Sequence, residues 1–223
     1  MELRTTGSSA GRRSQPRVRA AAPEEAGEIG RLLGEAFMDD PVSTWAWPDA
    51  EVRRAVHPRF FGVFAKHGLA GGMVDVTEDG AGAAVWLPVP AGSGGGGGTA
   101  GSAGSAGGGD RMGADIAEAL GESGERSAVI NKLMEQHHPH ERAHLYLLAL
   151  GVLPGRQGGG LGRALLEPVL ERCDRQGVPA YLEASSERSA ALYARLGFAT
   201  IGQTIDLPDG PSMWPMWRQP RVR

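Results

Sequence analysis

The stretch GVLPGRQGGGLGRALLEPVL, Gly151 to Leu170, constrains the fold more than any other part of the chain. It passes from the apolar run HLYLLALGVLP through a glycine cluster into a helical apolar pattern, so it reads as strand, tight turn and helix start. The strand is apolar enough to be buried on both faces. The helix runs to about Arg175, with Pro168 inside it as a kink or a lost hydrogen bond. Such a turn carries a row of outward-pointing amides at the positive end of a helix dipole, which suits an anion. Arg156 and Arg163 flank it and add charge-assisted contacts. A glycine turn without any ligand is the competing reading.

Two familiar phosphate cradles fail here. A dinucleotide fingerprint needs Gly-x-Gly-x-x-Gly/Ala, but the third position is Arg163 counted from Gly158 and Leu165 counted from Gly160. A phosphate loop ends in Gly-Lys-Ser/Thr, and no such tripeptide occurs. The remaining pattern is Gln-x-x-Gly-x-Gly, over Gln157, Gly158, Gly159, Gly160, Leu161 and Gly162.

The rest of the chain reads as β-α-α-β-β-(α)-β-α-β-α-β-β, an α/β chain with a mixed sheet. A short strand, Arg17 to Ala21, leads to a helix opened by Pro23, with Glu24 and Glu25 at its positive end and Ile29, Leu32, Leu33, Ala36 and Phe37 as its stripe. DDPVSTWAWPD reads as a loop broken by Pro41 and Pro48. Asp49 caps a second helix to about Lys66, with Val52, Val56, Phe60 and Val63 on one face. A hairpin turns at Glu78-Asp79-Gly80, and helices over Met112–Leu120 and Glu125–Gln136 follow. PAYLEAS is a strand; Ser186 caps a helix ending at Gly197; the last strands turn at Pro208-Asp209-Gly210.

A chain of 223 residues supports one domain with a core. Many of its 35 glycines sit in AGSGGGGGTAGSAGSAGGG, Ala91 to Gly109. That composition is a flexible coil, either a linker or an insertion. The flanking segments are each small for a domain, which favours an insertion over about 91–110 in a domain spanning 17–219. Residues 1–16 read as a basic tail without the apolar stretch of a secretory signal. A net charge of -3 offers no global field for nucleic acid, and no apolar run approaches the ~18 residues of a membrane span. Cys173 stands alone, so no intrachain disulfide forms, and buried packing is its expected role. The expected location is the cytoplasm.

LGVLPGRQGGGLGRALL resembles motif A of the GNAT superfamily of acyl-CoA-dependent N-acetyltransferases, and YLEASSERSAALYARLGF resembles that superfamily's closing strand, helix and Tyr/Gly-Phe segment. Within the superfamily the chain is most similar to the puromycin N-acetyltransferase type. The shared segments are FMDDP, the HHPH lead-in, YLEAS, LYARLGF and the closing PDGPSMWPMWR; the resemblance spans about Val18 to Gln219, and the glycine tract departs from it. It implies a GNAT fold: a mixed, mostly antiparallel sheet flanked by helices, with central strands that splay.

The resemblance also implies roles. Acetyl-CoA is the co-substrate, and no metal is needed. The backbones of Leu150 and Val152 meet pantetheine, the Val152 N–H acting on the thioester carbonyl. Arg156, Gln157, Gly158, Gly159, Gly160, Leu161, Gly162 and Arg163 cradle the pyrophosphate. Ser189 stands near the cofactor, where the puromycin type usually has Asn. Tyr193 protonates the leaving thiolate. Glu183, on the same side of its strand as Tyr181, relays the amine proton or binds the ammonium, against the alternative of a salt-bridged surface carboxylate. Asp39, Asp40, Trp45 and Trp47 fall where the family builds its acceptor pocket and suit a cationic, ring-bearing substrate; core tryptophans and a helix-end acid pair are the alternative. Trp214 and Trp217 read as packing.

HHPH, His137 to His140, matches no zinc spacing. The expected activity is acetylation of a small-molecule primary amine, an antibiotic or related metabolite, by direct attack in a ternary complex. Peptide acetylation and non-catalytic acyl-CoA sensing are the alternatives. The partner is the small-molecule amine, without nucleic acid or membrane, and the expected assembly is a monomer or homodimer.

Overall fold

The computed structural model describes residues 16–92 and 108–221. Residues 1–15 of the expected tail and 93–107 of the glycine tract lie outside the described residues. The strands are β1 (Val18–Ala20), β2 (Met73–Thr77), β3 (Gly82–Val89), β4 (His144–Val152), β5 (Ala180–Ala184), β6 (Ala199–Thr200), β7 (Ile205–Asp206) and β8 (Ser212–Arg218). The helices are α1 (Ala26–Ala36), α2 (Pro41–Ala46), α3 (Ala50–Gly71), α4 (Gly108–Leu120), α5 (Glu125–His137), α6 (Leu161–Gln176) and α7 (Glu187–Arg195). One sheet runs β1-β2-β3-β4-β5-β8-β6, with β7 paired to β8. Every pairing is antiparallel except β4–β5, the parallel step expected of a strand–helix–strand crossover through α6. This is the mixed, mostly antiparallel sheet that the resemblance implies.

Two apolar layers cover the sheet. On one side α6 and α7 pack Leu165, Leu166, Val169, Tyr193 and Leu196 against Leu147 and Leu182. On the other, α1 and α3 pack Ile29, Leu33, Phe61 and Phe64 against Val74, Val85 and Ala149. A bulge moves β4 between these layers. Val85 faces Ala149 but Trp86 faces Leu147, so Leu148 is the extra residue. The alternation of β4 flips there. Leu145 and Leu147 lie in the α6 layer before the bulge, and Leu150 and Val152 pack on it afterwards. Gly151 lies under α1: a β-carbon there would meet Leu33 Cδ2 at 2.7 Å and Ala36 Cβ at 2.9 Å. Only a glycine lets helix and strand approach so closely.

Three local expectations need correction. The segment read as a loop holds α2, because Asp40 caps it through the Val42 and Ser43 amides at 2.9 and 3.1 Å and Pro41 takes the first helical position. The second helix continues to Gly71 rather than Lys66, and its buried face is Val56, Phe61, Val63, Phe64 and Ala65; Val52 is exposed. The strand expected between Gly197 and the Pro208-Asp209-Gly210 turn is split into two short ones, β6 and β7. The hairpin, the Ser186 cap and the placement of β4, α6, β5 and α7 match expectation. Among the described residues, no helix is long and apolar enough to cross a membrane.

Candidate active site

The site forms where β4 and β5 part. They pair only at Leu145–Ala180 and Tyr146–Tyr181, whereas β4 stays paired to β3 as far as Val152–Gly82. From Leu147 onward one edge of β4 therefore has no strand beside it. Leu153 N–H donates to Ala81 O at 2.9 Å. In an antiparallel ladder the pointing direction alternates, so the main-chain groups of Leu150 and Val152 turn away from β3 into the gap. The Val152 carbonyl accepts a hydrogen bond from Gln157 Nε2 at 3.1 Å, which ties the glycine turn to the strand end.

The gap opens into a groove of about 850 Å³. Leu150, Val152, Arg156, Gln157, Gly158, Gly160, Leu161, Gly162 and Arg163 line one end of it. Gly160 holds φ +87° immediately before α6, a conformation that a residue with a side chain rarely adopts. The first amides of α6 are thereby turned to the groove with no side-chain cap over them. The flanking cations are held loosely at the surface. Arg156 pairs with Asp79 of the hairpin turn, and Arg163 Nε donates to Glu167 at 2.6 Å. An anion can recruit either guanidinium, since exposed ion pairs are worth little. Gly159 does not line the groove, and a β-carbon there would make only an ordinary contact, 3.6 Å from Arg156 O.

Tyr193 comes from α7 and reaches the middle of the groove, 7% exposed, with its ring 5.9 Å from Phe198. Burial, and then the charge of Asp40, push its phenol well above the usual range, so it keeps its proton. Asp40 also lines the groove. Besides capping α2 it accepts a hydrogen bond from the Ser185 hydroxyl, which bridges the α1–α2 corner to the end of β5. Burial raises its pKa, against the three hydrogen bonds it accepts. Ser189 lines the groove too, but its hydroxyl donates to Ser186 O at 2.8 Å and completes the cap of α7.

The acceptor-loop residues are spread out. Asp39 lines the groove, while Trp45 and Trp47 do not. Trp45 Nε1 donates to Pro208 O at 3.0 Å, with Arg126 stacked 5.1 Å over the ring. Trp47 is buried and donates to Ser123 O at 2.7 Å. Buried Arg53 fastens this corner through Met38 O, Trp47 O and Pro48 O at 3.0, 2.6 and 2.8 Å.

Glu183 lies two residues beyond the last β4–β5 pair, its side chain 2% exposed and lining the groove. Its Oε1 has no hydrogen-bond partner and stands 3.7 Å from His138 Nδ1. The rings of Tyr146 and Tyr181 lie 5.0 and 4.7 Å from His138. Burial, reinforced by the Glu183 charge, drives both phenols well above their ordinary range. His138, His144, Tyr146 and Tyr181 were not expected at the site. The one available signal was alternation, which sets Tyr181 and Glu183 on the same face of β5. Arg188 and Ser185 line the groove as well and carry no motif of their own.

The Acetyltransferase (GNAT) family model matches residues 125–198, the span from α5 to the end of the Tyr193 segment. That match covers about a third of the chain, and the sheet across the described residues has the GNAT fold. A solved structure from Corynebacterium glutamicum, described as histone acetyltransferase HPA2 and related acetyltransferase, is 26% identical with a TM-score of 0.63, covering 93% of this chain and 98% of that one. Arylalkylamine N-acetyltransferase 2 of Aedes aegypti shares the fold at 14% identity and a TM-score of 0.63, covering 93% of this chain and all of that one. Mycothiol acetyltransferase of Streptomyces avermitilis is 48% identical over 54 residues, 23% of this chain and 18% of that protein. The chain thus matches under a fifth of that curated relative's length.

Proposed function

We propose that the protein transfers an acetyl group from acetyl-CoA to the primary amine of a small molecule, an antibiotic or related metabolite of the puromycin kind. The observation that carries this reading is the parting of β4 from β5 after Tyr146, which turns the Leu150 and Val152 main chain into a groove shared with the glycine turn, Tyr193 and Glu183. The residues suit the co-substrate. A free strand edge matches the amides of pantetheine, and the uncapped start of α6 matches a diphosphate.

Acetyl-CoA supplies an activated acyl carbon. The Val152 N–H stabilises charge growing on the acyl oxygen. Glu183 binds the acceptor's ammonium and takes its proton. An α-amine with a pKa near 8 is about one-tenth neutral at pH 7, and a lysine-like amine near 10.4 below about a thousandth. The need for Glu183 therefore grows with acceptor basicity. Tyr193 donates to the leaving sulfur. Its phenol holds its proton more tightly than a thiol does, so it acts as a hydrogen-bond donor while the sulfur becomes negative, and the second proton of the attacking nitrogen passes to that sulfur to give the free thiol. Glu35, Asp39 and Asp40 line the groove and favour a cationic acceptor.

The test is thiol release from acetyl-CoA with a panel of amines, puromycin included, beside N-terminal and lysine peptides. Turnover on small amines is expected. Turnover on peptides alone overturns the acceptor assignment, and binding of acetyl-CoA without any turnover overturns the enzymatic one.

A further inference from the structure

The HHPH segment carries no role in the reading above, yet it delivers a buried histidine to the site. His138 follows α5 and is 6% exposed; its Nε2 lies 3.1 Å from His144 Nε2, and its Nδ1 lies 3.7 Å from Glu183 Oε1. His144, 2% exposed on β4, has its Nδ1 2.8 Å from Arg142 O.

These contacts dictate the tautomers. A carbonyl only accepts, so His144 carries hydrogen on Nδ1. Burial, with the neighbouring histidines, holds the His144 pKa down to about 4, so the ring is neutral and its Nε2 is a lone pair. His138 Nε2 must then be the donor of the 3.1 Å contact. In a neutral His138 the Nδ1 lone pair is left facing a carboxylate oxygen that has no partner of its own. The phenols of Tyr146 and Tyr181 are the hydrogen-bond donors that reach the Glu183 carboxylate, and the His138 Nδ1 lone pair faces the same carboxylate as the one neighbouring group, among the described residues, able to take up a proton from it.

We propose that His138 is the positioning residue that holds the proton released by the acceptor amine, acting through Glu183. This rests on the reading of Glu183 as the group that meets the ammonium. The N–H bond of the ammonium breaks as an O–H bond forms on Glu183. That O–H breaks as N–H forms at His138 Nδ1, leaving an imidazolium beside a restored carboxylate. The proton stays there until it exchanges with solvent, and it equals the one proton that acetylation of an ammonium releases. The pair draws in from 3.7 Å to hydrogen-bond distance once a proton lies between its atoms. The groups around it suit this. Tyr146 from β4 and Tyr181 from β5 stay protonated and compete for no proton; His144 is held neutral; His140 packs 5.6 Å away with Nδ1 buried and unpartnered; Trp217 of β8 closes the cluster against His144.

The test compares two acceptors of one skeleton, an amine of pKa near 10 and its α-amide analogue near 8, on the full chain. His138→Gln is expected to lower kcat at pH 7 about a hundredfold for the first and under about tenfold for the second. KM for acetyl-CoA should be kept. The acidic limb of kcat/KM should move. Equal losses on both acceptors, or an unmoved limb, would overturn the proposal. Glu183→Gln separates it from the reading beneath: loss there with an unaffected His138→Gln keeps the groove reading and removes His138. If the substitution unfolds the chain, or no amine is turned over, nitrogen-15 histidine spectra of the wild-type protein decide. They should show hydrogen on Nδ1 of His144 and on Nε2 of His138, and a neutral His138 with hydrogen on Nδ1 instead would sink the proposal.

Discussion

The two faces of the β4–β5 gap are built by different means. Toward α6 and α7 the gap is apolar, with Leu150, Val152, Leu182 and Leu192 packed on one core and Tyr193 among them. What that face offers a ligand is main chain: strand amides and the uncapped start of α6. Toward α5 the groove is lined by the Glu183 side chain, backed by His138, His144, Tyr146 and Tyr181, which pack behind it from three separate segments and do not line the groove themselves. Backbone recognition suits a constant partner such as a coenzyme. Side-chain recognition suits an acceptor whose charge and proton must be managed.

Substitutions can break this division. Tyr193→Phe removes one oxygen from the apolar face and should lower kcat about a thousandfold while leaving acetyl-CoA affinity within about twofold. A fall in affinity larger than that in turnover would make Tyr193 a binding residue. The polar face predicts an acid sensitivity. The folded pKa of His144 is depressed from 6.5 to about 4. Its contribution is therefore whole above pH 6.5 and is lost as pH falls toward 4, where the unfolded chain binds the extra proton, a loss of about 3 kcal/mol. Denaturant unfolding of wild type and His144→Asn over that range should show a steeper decline in the wild type; parallel curves would take His144 out of the account.

Glu183→Gln should cost about a hundredfold in kcat at pH 7 with a lysine-like amine, and the deficit should shrink as pH rises and the amine becomes neutral unaided. A deficit constant with pH would leave Glu183 as an ammonium-binding group alone. The smallest effect is expected at the turn. Gly160→Ala places a side chain at φ +87°, costs about 1–2 kcal/mol of strain, and should weaken acetyl-CoA binding about tenfold without moving the pH profile. An unchanged affinity would show that the amides of α6 are not the diphosphate site.

The same division explains what the sequence reveals. The half proposed for the coenzyme is legible because its pattern is local: a strand, a glycine turn and a helix start follow one another within Gly151–Leu170, and the glycines mark backbone conformations that others avoid. The other half is built by distant contacts. Nothing in HHPH announces that the end of α5 will set His138 against β4 and β5, and the bulge at Leu148 leaves no mark in an apolar run. Pro41 shows how one residue is misread. In sequence it reads as a breaker, yet after Asp40 it opens α2, so that Asp40 caps that helix and joins Ser185 while still lining the groove. Trp45 and Trp47 look like recognition aromatics in sequence, but the structure bonds both indoles to backbone carbonyls of neighbouring loops.

The central claim is that main-chain groups in the gap hold the acyl-CoA, and residue-resolved amide hydrogen exchange with and without acetyl-CoA tests it most directly. The account predicts slowed exchange at Leu150, Val152 and residues 158–163, with little change along β1 and β2. Tight binding by calorimetry with those amides exchanging at their unliganded rates would contradict it.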